Sequence, residues 1–268
     1  MKTTHLLVGL CLSMMTTSCL IVVGNDCTTR AKKEKKQKKV KADPQQCIDE
    51  VVSLAPLKSL NVSLGIDVVY EQKDTIPTAY IVGHLAAGSK LVYEGATNGA
   101  LSLKIKRNGN VRNEEVKVRI VAPTLTTVSL STGSAFKAQT LQVPSFSADI
   151  STGSTLHIGS LAVEQQADLT ATTGATCNVR TLRAHGNVGV TSTTGASSRI
   201  AELSGATLSA QATTGSDIDI HKLDVQHVVA NATTGSNIKL TGSTKTTRIA
   251  EDRVTGGVIN LKNLRIAQ

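Results

Sequence analysis

Residues 169–182 read LTATTGATCNVRTL and contain the unit that decides the fold. The Thr-Thr-Gly at the centre of this stretch recurs through the C-terminal half of the chain, with Ser or Val sometimes in its first position. The turn glycines are Gly133, Gly153, Gly174, Gly195, Gly215, Gly235 and Gly256, and their spacings are 20, 21, 21, 20, 20 and 21 residues. A fixed period of this length is the signature of a repeat architecture.

Alignment on these glycines produces columns of apolar residues on both sides of the turn. The third and fifth residues after each glycine are mostly apolar, as Cys177 and Val179 are in the quoted stretch, and small side chains dominate the third and fifth residues before it. Such alternation predicts two strands, each with one buried face. The eighth residue after the glycine is Leu in six of the seven units and Ser243 in the other. The odd step from the fifth to the eighth residue indicates a corner between them.

A single unit of this length has no core of its own. Stacking successive units about 4.8 Å apart buries the inward columns and pairs each strand with its counterpart in the next unit. The glycine then supplies a tight turn with positive φ, and the Thr before it forms a column of stacked hydroxyls. The prediction is an all-β fold, a single-stranded parallel β-solenoid (β-helix) of about seven 20–21-residue coils over residues 126–268.

Residues 48–125 alternate like strands but lack the period. Glycines and the Asn108-Gly109-Asn110 turn separate the alternating segments. We therefore expect this region to form an irregular N-terminal β cap that covers the open end of the solenoid.

The first 24 residues are a targeting or anchoring segment, because residues 6–24 carry no charge and follow Lys2. In the preferred interpretation they are a signal peptide with a lipoprotein cleavage site, and Cys19 is lipidated. Thr16 and the apolar residues after Cys19 depart from the usual pattern of such sites. In the alternative, the segment spans a bilayer, and the basic tract that follows would then keep the body in the cytoplasm.

The net charge of +9 comes almost entirely from one tract. Residues 30–41, RAKKEKKQKKVK, hold eight positive charges and one negative; without them and Lys2, 20 Lys and Arg face 19 Asp and Glu. A nucleic-acid binder carries its charge on the folded surface, so no nucleic-acid partner is expected. Residues 25–47 are predicted to be a disordered basic linker. Cys27 and Cys47 flank the tract, and they either form a disulfide in an oxidising compartment or stay free thiols.

Three features together resemble the autotransporter-adhesin head GIN domain family over residues 55–260. They are LNVSLGIDVVYEQ at 60–72, ALSLKIKRNGNVRNEEVKVRIVAPTLTTVSL at 100–130, and the repeated turns. The resemblance implies a parallel β-solenoid that is exported to the envelope of a Gram-negative bacterium. Combined with the anchor, it implies an outer-membrane lipoprotein that faces the periplasm or the cell surface. It transfers no catalytic residues.

Few residues in the repeats have the spacing that catalysis needs. His157 and His221 fall at outward positions and are interpreted as rim histidines.

Solenoid enzymes that act on polysaccharides use clustered carboxylates and aromatic platforms. Asp217 and Asp219 stand in one coil, but the neighbouring coils continue neither column, and the chain has no Trp. No C-x-x-C occurs and no His lies near a Cys, so the sequence predicts no enzyme, no metal site and no cofactor.

Three functions remain, and the first is preferred. It is a non-enzymatic, envelope-anchored protein, adhesin-like or structural, whose flat side meets an envelope or surface protein or a glycan. The second is a polysaccharide-active enzyme with an unrecognised site. The third is an ice- or crystal-binding protein, which needs two outward Thr on one flat strand in each coil, whereas the Thr-Thr pairs lie at the turn. The sequence does not specify an oligomeric state.

Overall fold

A computed structural model describes residues 25–26, 45–95, 98–107, 114–251 and 255–266. All regular structure in these residues is β. The strands are β1 Asn25–Asp26, β2 Gln45–Ser53, β3 Ser59–Ser63, β4 Ile66–Gln72, β5 Thr78–Ala86, β6 Lys90–Gly95, β7 Ala100–Lys106, β8 Glu115–Ala122, β9 Thr127–Ser131, β10 Ala135–Val143, β11 Phe146–Ile150, β12 Thr155–Val163, β13 Ala167–Ala171, β14 Thr176–Ala184, β15 Asn187–Thr193, β16 Ser197–Thr213, β17 Asp217–Ala232, β18 Asn237–Glu251 and β19 Val258–Ile266.

Successive coils stack in parallel, which confirms the predicted β-solenoid. The strands before the turns form one ladder, in which β9, β11, β13 and β15 pair in turn. The strands after the turns form a second ladder through β10, β12 and β14. In β16, β17 and β18 one long strand per coil takes part in both ladders. The 20–21-residue period therefore sets the stacking register.

The inward columns predicted from the alternation form the core. In the second ladder, Leu156, Cys177 and Ile218 are inaccessible to solvent, and so are Ile158, Ile200 and Ile220 two residues further on. The columns before the turn are equally buried and use smaller side chains, such as Ala210 and Ala230. Large residues on one side and aliphatic residues or alanines on the other fill a narrow interior, which explains why the chain needs few aromatic rings.

The N-terminal cap contains two regular coils, which the sequence analysis did not identify. Strands β3 and β4 stack directly below β9 and β10, with Leu60 level with Val128 and Val68 level with Phe136. Strands β7 and β8 stack on the other side of β3 and β4. The coil that comes first along the chain is therefore covered on both sides by segments that follow it.

Antiparallel strands end the stack beyond these two coils. Strand β5 pairs with β8, β2 pairs with β5, and β6 pairs with β7, all antiparallel. Strand β1 adds Asn25 opposite Cys47 on β2. The reversal of strand direction is the irregular element of the cap, and it interrupts the parallel edge on which another coil could stack.

One inward position differs from the sequence alignment. Ser243 was assigned to the column of leucines eight residues after the turn, but the structure places Gly242 level with Leu223 and Leu264. The coil that contains β18 has one residue fewer at its corner than the coils on either side. Gly242 therefore takes the place of a leucine, and Ser243 is only half-buried.

Candidate functional site

The Thr-Gly tripeptides form one turn that repeats along an edge of the solenoid, here called the turn edge. Both central residues have positive φ, about 51–54° for the Thr and 67–70° for the Gly in the six turns from Gly133 to Gly235. In the Ser151 turn, the amide of Ser154 donates to the carbonyl of Ser151 at 3.1 Å. This is type I′ geometry, which requires positive φ at both central positions. In these six turns the glycine named by the sequence is thus the second of two left-handed residues.

The Thr before each glycine is the less expected of the two, because a β-branched residue rarely adopts positive φ. Hydrogen bonds between coils hold this conformation. The amide of Gly174 donates to the carbonyl of Thr194 at 3.0 Å, and that of Gly195 donates to Thr214 at 3.0 Å. The same bond recurs from Gly133 to Gly235, so the ladder continues through the turns without a break.

Buried hydroxyls close the interior beneath several turns. Ser216 accepts from the amide of Thr213 at 3.0 Å and donates to the carbonyl of Ser192 at 2.7 Å. Ser236 makes the equivalent bonds one coil further on. A hydroxyl both accepts and donates here, so it satisfies two backbone groups at once. The polar residue after the glycine is therefore a structural part of the turn.

The sequence analysis missed one member of the turn edge. Leu64 and Gly65 have φ of 65° and 76°, and the amide of Gly65 donates to the carbonyl of Thr132 at 3.1 Å. The signal was present as V-S-L-G-I-D-V, which has the spacing of the repeats but Leu in place of Thr. Gly65 lies 68 residues before Gly133, which is not a multiple of the period.

The candidate lipidation and disulfide cysteines all precede residue 48 in the sequence. Cys19 and Cys27 are outside the residues that the structure describes. Cys47 is disulfide-bonded. Its pairing with Cys27 remains a prediction. Cys177 is a free thiol in the core, and burial raises its pKa to about 12, so it carries no charge and does not act as a nucleophile in the folded protein.

The histidines and acidic residues of the repeats lie on the outside, as their positions predict. His157 and His221 are exposed. Asp219 lies 3.3 Å from the imidazole of His221 and 4.0 Å from the ammonium of Lys239. The structure thus brings together one carboxylate, one imidazole and one lysine, with no second carboxylate in the adjacent coils of that column. In the described ranges, no group of three His, Cys, Asp or Glu side chains has the geometry to hold a metal ion.

The strands before the turns present an outward surface made mostly of small polar side chains, which we call the hydroxyl face. Its column next to the turns is Ser or Thr in seven stacked coils, and its second column is polar with one charge, Asp149. The columns are Ser63, Ser131, Ser151, Thr172, Thr193, Thr213 and Thr233, and Asn61, Ser129, Asp149, Thr170, Thr191, Gln211 and Asn231. Neither column contains Lys or Arg.

The strands after the turns present a different surface, which we call the charged face. Its central column mixes cations, amides and one carboxylate, in the order Lys137, His157, Asn178, Arg199, Asp219, Lys239 and Asn260. Four open grooves lie at or beyond the end of this face, at the corner side of the coils; their volumes are about 550, 470, 680 and 310 Å³. No helix of membrane-spanning length and hydropathy occurs in the part of the chain that the structure describes.

Comparison with known proteins identifies one matching family. The family model described as "Putative auto-transporter adhesin, head GIN domain" matches residues 56–193. This range begins in the cap and ends at the fourth turn of the repeats. No curated protein matches the chain.

Several solved structures share the fold. A putative adhesin from Bacteroides fragilis superposes with a TM-score of 0.60 at 16% identity, over 77% of this chain and 93% of that one. A putative adhesin from Parabacteroides merdae gives 0.58 at 15% identity, over 80% and 95%. A structure from Parabacteroides distasonis titled "Putative lipid binding protein" gives 0.57 at 11% identity, over 80% and 96%. At these identities the likeness concerns the fold alone.

Proposed function

Since the chain belongs to the head GIN domain family of auto-transporter adhesins, we propose that it is a non-enzymatic, adhesin-like binding protein of the cell envelope. The observation that carries the proposal is the hydroxyl face, in which seven stacked coils repeat the same polar surface. A regular array of this kind suits an extended ligand, because every coil offers a Ser or Thr hydroxyl beside the turn and, apart from Asp149, an uncharged polar group two residues before it. The ligand class is a glycan or a protein of the envelope or of another cell surface.

The composition of this face supports an uncharged ligand surface. Its two columns contain one carboxylate and no cation, so long-range attraction of a charged partner is weak there. Side chains of Ser and Thr lose little conformational entropy when they are ordered by a ligand, because they are short. Many modest hydrogen bonds along the rod would then give affinity through repetition.

A binding experiment with a matched control tests the assignment of this face. Thr172→Lys with Thr193→Lys places two long cations on adjacent coils of the hydroxyl face. Thr155→Lys with Thr176→Lys places the same substitutions on adjacent coils of the charged face. We expect the first pair to abolish binding of the full chain to envelope glycans and to intact cells, and the second pair to leave it unchanged. Equal binding by the two double variants would contradict the proposal.

We also propose that the protein reaches the envelope as a lipoprotein, most simply in the outer membrane, through a lipid on Cys19. The support is the uncharged segment at 6–24 with small residues before Cys19. Cys19→Ala should release the protein from the membrane fraction or leave it unprocessed. A Cys19→Ala protein that stays in the membrane at its normal mature mass would favour the spanning segment instead.

The ice-binding alternative requires two outward Thr on one strand in each coil, and two adjacent coils meet this requirement. Thr170 and Thr172 point outward from one strand, and Thr191 and Thr193 do so in the next coil. The array stops there, because Asp149 and Gln211 occupy the corresponding column in the flanking coils. A two-coil array is too short to set it above the adhesin-like role.

A further inference from the structure

The corner of the coil that contains β18 is one residue shorter than the corners above and below it. Between matched positions, β17 has His221 and Lys222 where β18 has only Thr241. On the other side, β19 has residues 261 and 262 where β18 has only residue 240. The short coil therefore recedes between two longer ones. The result is a groove of about 680 Å³ lined by Lys222, Thr241, Gly242, Lys262, Asn263 and Arg265, which we call the corner notch.

The floor of the notch is built for close packing. Gly242 has φ of 142°, and a Cβ on it would lie 2.1 Å from the carbonyl oxygen of Leu223. Only glycine fits at this point, since the neighbouring atom is backbone and cannot move aside. The floor of the notch is thus fixed by the backbone, and its walls are formed by surface side chains.

The residues that rim the notch are cationic. Each of the two longer coils has one extra residue at its corner, where its pairing with the short coil is interrupted. The last residue before pairing starts again is Lys222 in one longer coil and Lys262 in the other. Arg265 follows on the same wall as Lys262. Asn263 and Thr241 add uncharged donors. Three cations from two coils therefore line one concave space.

We propose that the corner notch binds a phosphate group. Two ammonium groups act as point charges, and the guanidinium supplies a fork that matches two oxygens of a tetrahedral dianion. A carboxylate offers a single charge and would leave two of the three cations uncompensated. This inference names a second ligand for the protein, separate from that of the hydroxyl face, and relies on the proposed function only for the expectation that the phosphate belongs to an envelope molecule.

Two nearby carboxylates modulate the site without filling it. Glu202 accepts from Lys222 at 2.6 Å, and both side chains are exposed, so the pair is weak and Lys222 can turn to a ligand. Asp224 accepts from Ser243 at 3.4 Å at the edge of the notch. Binding of phosphate to the notch therefore competes with the Lys222–Glu202 pair.

Titration calorimetry of the detergent-solubilised full chain at low ionic strength tests the site, with inorganic phosphate as the probe. We expect a dissociation constant on the order of 1 mM for a single exposed phosphate. Glycerol 3-phosphate, the free headgroup of an anionic phospholipid, tests a lipid source: tighter binding than inorganic phosphate indicates a lipid headgroup, and equal binding indicates any phosphate ester. Acetate should bind at least tenfold more weakly.

Single substitutions identify the groups responsible. Lys262→Ala and Arg265→Ala should each weaken phosphate binding by at least about fivefold, the effect of one cation on one unit of negative charge at contact distance in water. Glu202→Gln should strengthen it, because it releases Lys222, and a purely structural role for this pair predicts no such gain. The matched control is Lys137→Ala, which removes the same charge from the charged face.

Two outcomes would overturn the proposal. One is the absence of phosphate binding by the unsubstituted chain under these conditions. The other is an equal loss of affinity in Lys137→Ala and Lys262→Ala, which would mean that phosphate responds to net charge only. Neither outcome affects the hydroxyl-face experiment, so failure of the notch and failure of the adhesin-like role are distinguishable.

Discussion

The turn edge and the corner edge of the same coils differ in how strictly their backbone geometry repeats. The corner edge is the side of the solenoid where each coil bends between the fifth and the eighth residue after its turn glycine. At the turn edge, six Thr-Gly turns share φ values within a few degrees and the same hydrogen bond to the next coil. At the corner edge, coil length varies, side chains change from coil to coil, and four of the surface grooves lie at or beyond it. Strict repetition at the turn edge therefore holds the stack together, and the variation in coil length at the corner edge produces concave spaces.

The largest expected effect on stability comes from a substitution in the buried column that contains Ile220. Ile220 is inaccessible to solvent and packs between Ile200 above and Leu240 below. Ile220→Asp places an unpaired charge in this stack, and we expect a loss of several kcal/mol in the free energy of unfolding. Chemical denaturation measures it. If the variant unfolds like the unsubstituted protein, the assignment of the inward columns is wrong.

Replacement of a corner glycine by alanine should cost more stability than the same replacement of a turn glycine. Gly242→Ala would drive a methyl group into the backbone of Leu223, with an expected cost of about 2–3 kcal/mol. Gly195→Ala meets open space and suffers only from its φ of 69°, with an expected cost of about 1 kcal/mol. The midpoints of denaturation should fall in that order. The reverse order would mean that the corner backbone relaxes and that the notch has no fixed floor.

A smaller effect, of opposite sign, is expected at the turn threonines. Thr194 has φ of 51°, a region that Asn tolerates far better than a β-branched residue does. Thr194→Asn should therefore raise stability by about 0.5–1 kcal/mol, because Asn-Gly is the favoured type I′ pair. The measurement is the melting temperature of the full chain. A decrease would show that stacking within the Thr column contributes more than the backbone strain costs.

The smallest effect is expected on the charged face. Asp219 is half-buried and lies 3.3 Å from His221 and 4.0 Å from Lys239. Asp219→Asn keeps the shape and removes the charge, so stability should change by about 0.5 kcal/mol or less. Its melting curve, recorded beside that of Ile220→Asp, gives the contrast between adjacent outward and inward residues. A loss above about 2 kcal/mol would place Asp219 in a buried network.

Much of the fold could be predicted from residues 126–268, because each coil repeats the same turn and the same alternation of inward and outward residues. The Thr-Gly turns gave the period, and the alternation on either side gave the inward columns. The coil formed by β3 and β4 could not be found in this way, since Gly65 stands 68 residues before Gly133 and out of phase with the repeats. Its place in the stack follows from pairing with β9, a contact between distant parts of the chain.

The candidate sites were less predictable than the fold. Counting residues from the turn glycine placed Ser243 in the leucine column, and the missing residue at the β18 corner moves Gly242 there instead. One residue of slip at a corner is invisible in a Ser- and Thr-rich sequence. The convergence of Lys222, Lys262 and Arg265 depends on that slip, so a sequence reading sees only three separate surface cations.

The sequence by itself determined the repeat, the identity of the turn glycines and the inward face of each strand, because these are local properties that recur with a fixed period. The tertiary structure decided the order in which the cap coils stack, the left-handed conformation of the turn threonines and the position of the corner notch. The physical reason is that these three depend on backbone hydrogen bonds between coils. Such bonds join residues that are about 20 or more positions apart, so the local pattern within one strand does not specify their geometry.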